Sequence, residues 1–310
     1  YFFPGQGSQS VGMLAGLADL HPVVRETFAE ASAVLGYDLW HLTQQGPATQ
    51  LDQTEYTQPA MLVADVAVWR AWRAVGGSEP AALAGHSLGE YAALVCAEAL
   101  NLADAVRLVR LRAQAMQAAV PTGVGSMAAV LGLADAVVVE LCTQAAQGEV
   151  VAAVNFNAPG QIVIAGHKAA VERASQLART AGAKRVLPLA VSVPAHTTLM
   201  QPVVEILTAQ LATCALQPPR WPVWHNVDAT PHPEVTALRT TLAAQVARPV
   251  LWTQTVQALR QQGMLHSIEC GPGKILQGLQ KRIAPDMSCW PLGEPDSFHQ
   301  AWEQHHAACS

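Results

Sequence analysis

Lysine is almost missing from this chain of 310 residues: there are four, and charged residues of every kind make up only 13%. With a formal net charge of −5, the sequence lacks the basic surface that a nucleic-acid backbone requires, which excludes nucleic acid as a main partner. Long apolar runs are missing too. Hydrophobic residues reach 51%, yet none of the runs attains the ~18 residues that a membrane span needs. The residues after Tyr1 do not read as a signal peptide; Tyr1-Phe-Phe reads instead as a strand already under way, so a few preceding residues are expected to be absent. The six cysteines (Cys96, Cys142, Cys214, Cys270, Cys289, Cys309) contain no C-x-x-C pair and fall mostly in apolar runs. That argues against a disulfide frame or a zinc site and for free thiols in a reducing cytoplasm. His305 and His306 lack carboxylate or thiol company, so no metal site is expected there. The loop Pro4-Gly-Gln-Gly-Ser-Gln9 meets neither G-x-G-x-x-G nor the Walker pattern, and a nucleotide site is not inferred from it.

What the sequence does hold centres on Ala81-Ala-Leu-Ala-Gly-His-Ser-Leu-Gly-Glu-Tyr-Ala-Ala-Leu-Val95. A short strand of small residues runs into a turn with Gly85 and Gly89, and a helix starts at once. Ser87 stands at the apex. Such a turn lifts the hydroxyl off the strand end and points the free N–H groups of the helix N-terminus at whatever bonds to it, which is a nucleophile's position with half an oxyanion site attached.

Around this elbow the chain reads as a large α/β unit interrupted once. Helices are expected at about Pro22 to Leu35, from about Ala60 to Val75 after a turn at Thr57-Gln-Pro, and from Leu102 to about Ala119. From Gly123 the order becomes strand (126–131), helix (135–141), strand (150–154), strand (161–165), helix (169–181), strand (185–191). That is a ferredoxin-like order. The predicted division is therefore a discontinuous core, 1–123 with 194–310, and an inserted subdomain, 124–193. The core resumes with a helix starting at Ala195-His-Thr-Thr-Leu-Met, a strand ending at His225, helices near 238–246 and 253–262, the strand 266–270 and a helix to Ile283. The tail past Asp286 is expected to be irregular.

In the helix from Leu102, the stripe Leu102, Val106, Val109, Ala113 and Met116 faces the core, and Arg107 points nearly opposite. Arg110 and Arg112 both border the stripe, and Arg112, among Ala105, Leu108, Ala115 and Met116, is the one expected to be buried. A buried guanidinium needs an anion. Either a substrate carboxylate or an acid elsewhere in the core would serve.

A serine hydroxyl needs a base. Three histidines after Ser87 lie where strands end in an open α/β sheet, namely His167, His196 and His225. His167 belongs to the insertion and looks like a surface turn. His196 and His225 remain, with Pro194 tilting the choice toward His196. No acid takes the triad position between Ser87 and His196: Asp104 and Asp135 sit in first helical turns, and the glutamates lie on helices or in the insertion. A Ser–His dyad follows, its imidazole oriented by an amide or carbonyl, with Asn226 and Gln245 as candidates.

Taken together, Phe3-Pro-Gly-Gln-Gly-Ser-Gln9, Gly85-His-Ser-Leu-Gly-Glu-Tyr91, Arg112, Asn155-Phe-Asn157, Val193-Pro-Ala-His196, His225-Asn-Val-Asp-Ala229, Gln245 and Gly271-Pro-Gly-Lys274 resemble, in order, bacterial malonyl-CoA:acyl carrier protein transacylases and the acyltransferase domains of polyketide synthases. The resemblance implies an α/β-hydrolase-like core with a ferredoxin-like insertion. It implies that Ser87 carries malonyl from coenzyme A to the phosphopantetheine thiol of an acyl carrier protein, with His196 as base and acid and Gln245 helping to orient it. Gln6 and the backbone N–H of Leu88 would form the oxyanion hole, Arg112 would clamp the malonyl carboxylate, and His86, Asn155 and Asn157 would support the site. Malonyl-CoA is then a substrate, no cofactor is permanently bound, and a cytoplasmic monomer is expected. A serine esterase or thioesterase shares the elbow but would release its acyl group to water and need no Arg112. A polyketide or malonate-decarboxylase malonyltransferase would share every feature. Because carrier proteins are acidic and this chain is acidic as well, docking needs a local basic patch. Lys274, Lys281 and Arg282 are the first choice, with Lys184 and Arg185 the second.

Overall fold

The strands of the main sheet are very short, and the three central to the elbow, Phe2–Phe3, Leu83–Gly85 and Val223–Trp224, are apolar and buried, as expected of a parallel sheet covered by helices. In the computed structural model, which describes residues 1–121, 123–191 and 193–309 and side chains as far as Gln304, the order is β7-β2-β1-β8-β9. The strands are β1 (Phe2–Phe3), β2 (Leu83–Gly85), β7 (Val223–Trp224), β8 (His266–Glu269) and β9 (Ser288–Pro291), and every pairing is parallel. The helices Val23–Leu35, Thr54–Ala74, Gly89–Cys96 and Leu102–Ala119 build the largest core around Phe28, Leu62, Trp72, Leu94 and Leu108.

A second sheet lies apart from the first. Its strands are β3 (Gly125–Leu131), β4 (Val151–Ala158), β5 (Gln161–His167) and β6 (Arg185–Pro188), in the order β4-β5-β3-β6 and antiparallel throughout. Helices Asp135–Ala146 and Lys168–Thr180 pack on it, giving the ferredoxin-like arrangement and a separate small core of Val130, Cys142, Ile162, Ile164 and Val171. Main-chain bonds stitch β4 to the large unit: Phe156 N–H donates to the Val250 carbonyl at 2.9 Å, and Val250 N–H to the Val154 carbonyl at 2.8 Å.

Four local expectations are corrected. There is no turn at Thr57-Gln-Pro, because a single helix runs from Thr54 to Ala74 with Pro59 inside it. Proline there removes one donor, but every residue from Thr57 to Trp69 is buried, and that packing outweighs one lost bond. The segment after His196 opens as a 3₁₀ turn, Thr198–Met200, before the helix Gln201–Thr213. The strand expected through residue 191 stops at Pro188. The tail is ordered rather than irregular: β9 extends the parallel sheet, and helix Pro295–Cys309 seats Phe298 edge-on against Trp72 at 5.4 Å. Five cysteines are free and buried, whereas the side chains of His305, His306 and Cys309 lie outside the described residues. No helix among the described residues is long and apolar enough to cross a membrane.

The elbow fits only because two of its residues lack a Cβ. A Cβ on Gly85 would stand 1.9 Å from the Gly89 carbonyl carbon, and one on Gly89 would stand 2.1 Å from the Phe3 carbonyl oxygen. Both obstacles are main chain and cannot swing away. Gly278, in the interior of the helix Ile275–Ile283, has nothing within 4 Å of the place a methyl group would take. Chemical denaturation should therefore show opposite signs: Gly89→Ala loses about 2 to 4 kcal/mol to backbone overlap, while Gly278→Ala gains about 0.5 to 1 kcal/mol of helix stability.

Candidate active site

Ser87 has φ 51°, a left-handed conformation unusual for a residue with a side chain, and it is half-buried at the end of β2. Two side chains clamp its backbone. Its N–H donates to Asn226 Oδ1 at 2.6 Å, and its carbonyl accepts from Gln245 Nε2 at 2.8 Å. Asn226 also donates through Nδ2 to the Gly85 carbonyl at 2.7 Å, so one amide spans the turn.

His196 Nε2 lies 2.8 Å from Ser87 Oγ. Its Nδ1 faces two main-chain carbonyls, Gln245 O at 2.9 Å and Arg248 O at 3.1 Å. Carbonyls only accept, so the proton sits on Nδ1 and the lone pair of Nε2 is turned to the hydroxyl. Burial, reinforced by the Arg112 charge, pushes the His196 pKa down to about 3. The imidazole thus stays neutral and able to take a proton. Of the two histidines left open by the sequence, His225 faces elsewhere: its Nδ1 is 2.7 Å from Glu90 Oε1, and both side chains are fully buried.

Arg112 is 2% exposed. Nη1 donates to Gln58 Oε1 at 2.7 Å, and Nη2 donates to Gln245 Oε1 at 3.1 Å and to Ser87 Oγ at 3.4 Å. These partners are all neutral. Among the described residues no carboxylate forms an ion pair with it, and its Nε has no partner. The guanidinium also lies over the Tyr91 ring at 5.5 Å. Burial lowers its pKa, which states the cost of holding a cation here without an anion.

Other expected residues divide. His86 Nε2 donates to Asn157 Oδ1 at 2.7 Å, which ties the residue next to Ser87 to β4 of the second sheet. Asn155 pairs its backbone with Val250, and its buried Oδ1 is without a hydrogen-bond partner among the described residues. Leu88 is the N-cap of the elbow helix, where N–H groups are left unpaired. Gln6 is exposed, and its Oε1 accepts from Thr54 Oγ1 at 3.1 Å. The Gln245 side chain does not touch His196; the main-chain carbonyl of that residue does.

A family model described as an acyl transferase domain matches residues 1–285. The malonyl CoA-acyl carrier protein transacylase of Salmonella typhimurium is 54% identical over 304 residues, covering 98% of each chain. The chain belongs to the malonyl-CoA:acyl carrier protein transacylase family. Among solved structures, the transacylase of Xanthomonas oryzae superposes with a TM-score of 0.96 at 54% identity, over 98% of this chain and 96% of that one. A malonyl-transacylase in complex with a type II polyketide acyl-carrier protein superposes equally well, with a TM-score of 0.96 at 50% identity over 98% of both chains.

In this transacylase-family chain the two basic patches considered for docking meet. Lys184, Arg185 and Arg282 line one groove of about 510 Å³ between the second sheet and the helix Ile275–Ile283. Arg282 bridges it, donating to the Pro159 carbonyl at 3.2 Å and to the Gln161 side chain. Lys274 and Lys281 are exposed on the same helix, Lys274 at its N-cap and Lys281 in its last turn, and neither lines the groove. Sequence reasoning missed two residues at the centre. Gln58 was hidden by the false turn at Pro59. Glu90 follows Ser87 by three residues on the elbow helix, away from the strand ends where a triad acid is expected, and reads in the sequence as a first-turn acid.

The lowered His196 pKa has a measurable consequence. An imidazole of ordinary pKa is lost as a base below about pH 6.5, whereas one held near 3 stays neutral down through pH 5. If His196 serves as the base for the acyl transfer proposed below, the single-turnover rate of Ser87 acylation is expected to be flat between about pH 5 and 8, with its acid limb lower still; an inflection near 6.5 would contradict that role.

Proposed function

We propose that this chain transfers a malonyl group from malonyl-CoA to the phosphopantetheine thiol of an acyl carrier protein by a ping-pong route through a malonyl ester of Ser87. The single observation that carries the proposal is Arg112: a buried cation that pairs with no acid among the described residues, its Nη2 3.4 Å from the Ser87 hydroxyl. A malonyl carboxylate supplies the missing anion while its thioester carbonyl lies at Oγ. Two-point capture of this kind is what a planar guanidinium recognises.

In the first half-reaction Ser87 Oγ attacks the thioester carbonyl as His196 Nε2 takes the hydroxyl proton. Gln6 and the N–H of Leu88 stabilise the oxyanion. Collapse breaks the C–S bond, and His196 returns the proton to the leaving coenzyme A sulfur. The second half-reaction reverses this with the carrier thiol: His196 takes the thiol proton, sulfur attacks the ester, and Ser87 recovers the proton. Every proton movement is His196's, so no resident cofactor is called for. Fatty acid synthesis in the cytoplasm, with a monomeric enzyme of a discontinuous core (1–123, 194–310) and an insertion (124–193), is the setting we assign. A polyketide setting is the second reading, favoured by the solved relative held with a type II polyketide acyl-carrier protein.

Arg112→Ala should cost malonyl transfer about 2 to 5 kcal/mol in kcat/KM, with uncharged acetyl groups relatively better accepted. Mass spectrometry of Ser87 after incubation with a panel of acyl-CoAs reads both. An esterase would instead release malonate to water and be indifferent to the substitution. For docking, the double change Lys281→Glu with Arg282→Glu should slow transfer to the carrier protein and spare acylation by malonyl-CoA. Equal effects on both half-reactions would remove the groove from the proposal.

A further inference from the structure

Beneath the nucleophile lies a buried carboxylate that the proposed chemistry does not use. Glu90 is 0% exposed and takes three hydrogen bonds. Its Oε1 accepts from His225 Nδ1 at 2.7 Å, and its Oε2 accepts from the Asn226 N–H at 2.9 Å and from Gln245 Nε2 at 3.0 Å. The last two donors belong to the residues that clamp the Ser87 backbone. The Gln245 amide also stands between opposite charges, with its oxygen on Arg112 and its nitrogen on Glu90. Turning that amide over would set N–H against guanidinium and oxygen against carboxylate, so the pair fixes its orientation.

We propose that Glu90 is a positioning residue for Ser87, acting through Asn226 and Gln245 to hold the left-handed turn that aims Oγ at His196. The inference rests on Ser87 being the acylated nucleophile. Left-handed backbone at a residue with a Cβ is unfavourable and persists only where the surroundings over-determine it. Here the N–H and carbonyl of Ser87 are each held by an amide, and each amide residue is in turn held by one carboxylate that water does not reach. Glu90 touches neither substrate nor the reacting atoms. Its loss should appear in the rate of the bound complex and not in the binding of malonyl-CoA.

The conservative variant has a specific geometry available. In Glu90→Gln the amide oxygen keeps the Asn226 N–H and Gln245 Nε2, while the new N–H₂ faces His225 Nδ1. His225 Nε2 is buried and without a partner, so the imidazole can move its proton there and present a bare Nδ1 as acceptor. Glu90→Ala has no such recourse.

The experiment measures single-turnover malonylation of Ser87 by mass spectrometry at saturating and subsaturating malonyl-CoA, in the wild type, Glu90→Gln, Glu90→Ala and Asn226→Ala. Circular dichroism and a denaturation curve on each variant report the folded fraction. We expect Glu90→Ala and Asn226→Ala to acylate 10²-fold to 10³-fold more slowly at saturation with KM within about threefold, and Glu90→Gln to recover to within tenfold of the wild type. Wild-type rates in either truncation, a loss confined to KM, or a Gln variant as slow as Ala would overturn the proposal. Should Glu90→Ala fail to fold, Glu90→Gln and Asn226→Ala decide by the same criteria. If the wild type itself forms no malonyl ester on Ser87, it is the proposed function that fails.

Discussion

A desolvated cation organises this structure. The guanidinium of Arg112 is buried, and among the described residues it is answered by the oxygens of two amides and a hydroxyl, with its Nε–H unused. Burying a charge in that way is unfavourable, and the surrounding elements are arranged to tolerate it. The helix Leu102–Ala119 carries it inward, the helix Thr54–Ala74 brings Gln58 to one side, and the short helical turn Gln245–Ala247 brings Gln245 to the other. Tyr91 offers the face of its ring. Nothing in that set neutralises the charge by contact, and that is the gap the proposed malonyl carboxylate would fill.

The elbow supplies the second half of the arrangement. Gly85 and Gly89 let the strand and helix approach to distances that no other residue permits, and Ser87 between them is bent into a conformation its own Cβ disfavours. The residues that hold it there come from distant parts of the chain, Asn226 after β7 and Gln245 just past the helix Val235–Ala244. Glu90 gathers both. Cation and carboxylate are thus linked by a single amide, and the two unfavourable burials offset one another across Gln245 without forming an ion pair.

Much of this was legible in the residues alone. Ser87 stood out because glycines at fixed offsets, a small-residue strand and a helix-forming run each demand the same local geometry. The burial of Arg112 followed from helical periodicity. The strand and helix order of the insertion gave its topology, and the observed strand order matches it. What escaped was whatever depends on contacts between remote segments. Pro59 reads locally as a break, and only the packing of the whole helix shows otherwise. The tail carries no strong pattern, yet Phe298 finds Trp72 and β9 finds a sheet edge. Glu90 resembles any first-turn acid at a helix N-terminus until His225 and Asn226 are brought beside it. Pro194 and the family resemblance favour His196 over His225, and the structure sets the His196 ring against the Ser87 hydroxyl.

The atoms that steer the His196 ring belong to the polypeptide backbone, the carbonyls of residues 245 and 248. Every amino acid carries such an oxygen. No single substitution can therefore erase the acceptors that fix the ring's tautomer, as it could where a carboxylate does that work; only rerouting the chain would. The tautomer of the His196 ring is thus insulated from substitution at those two positions, and by the same token neutral carbonyls lend the ring less basicity than a carboxylate partner would.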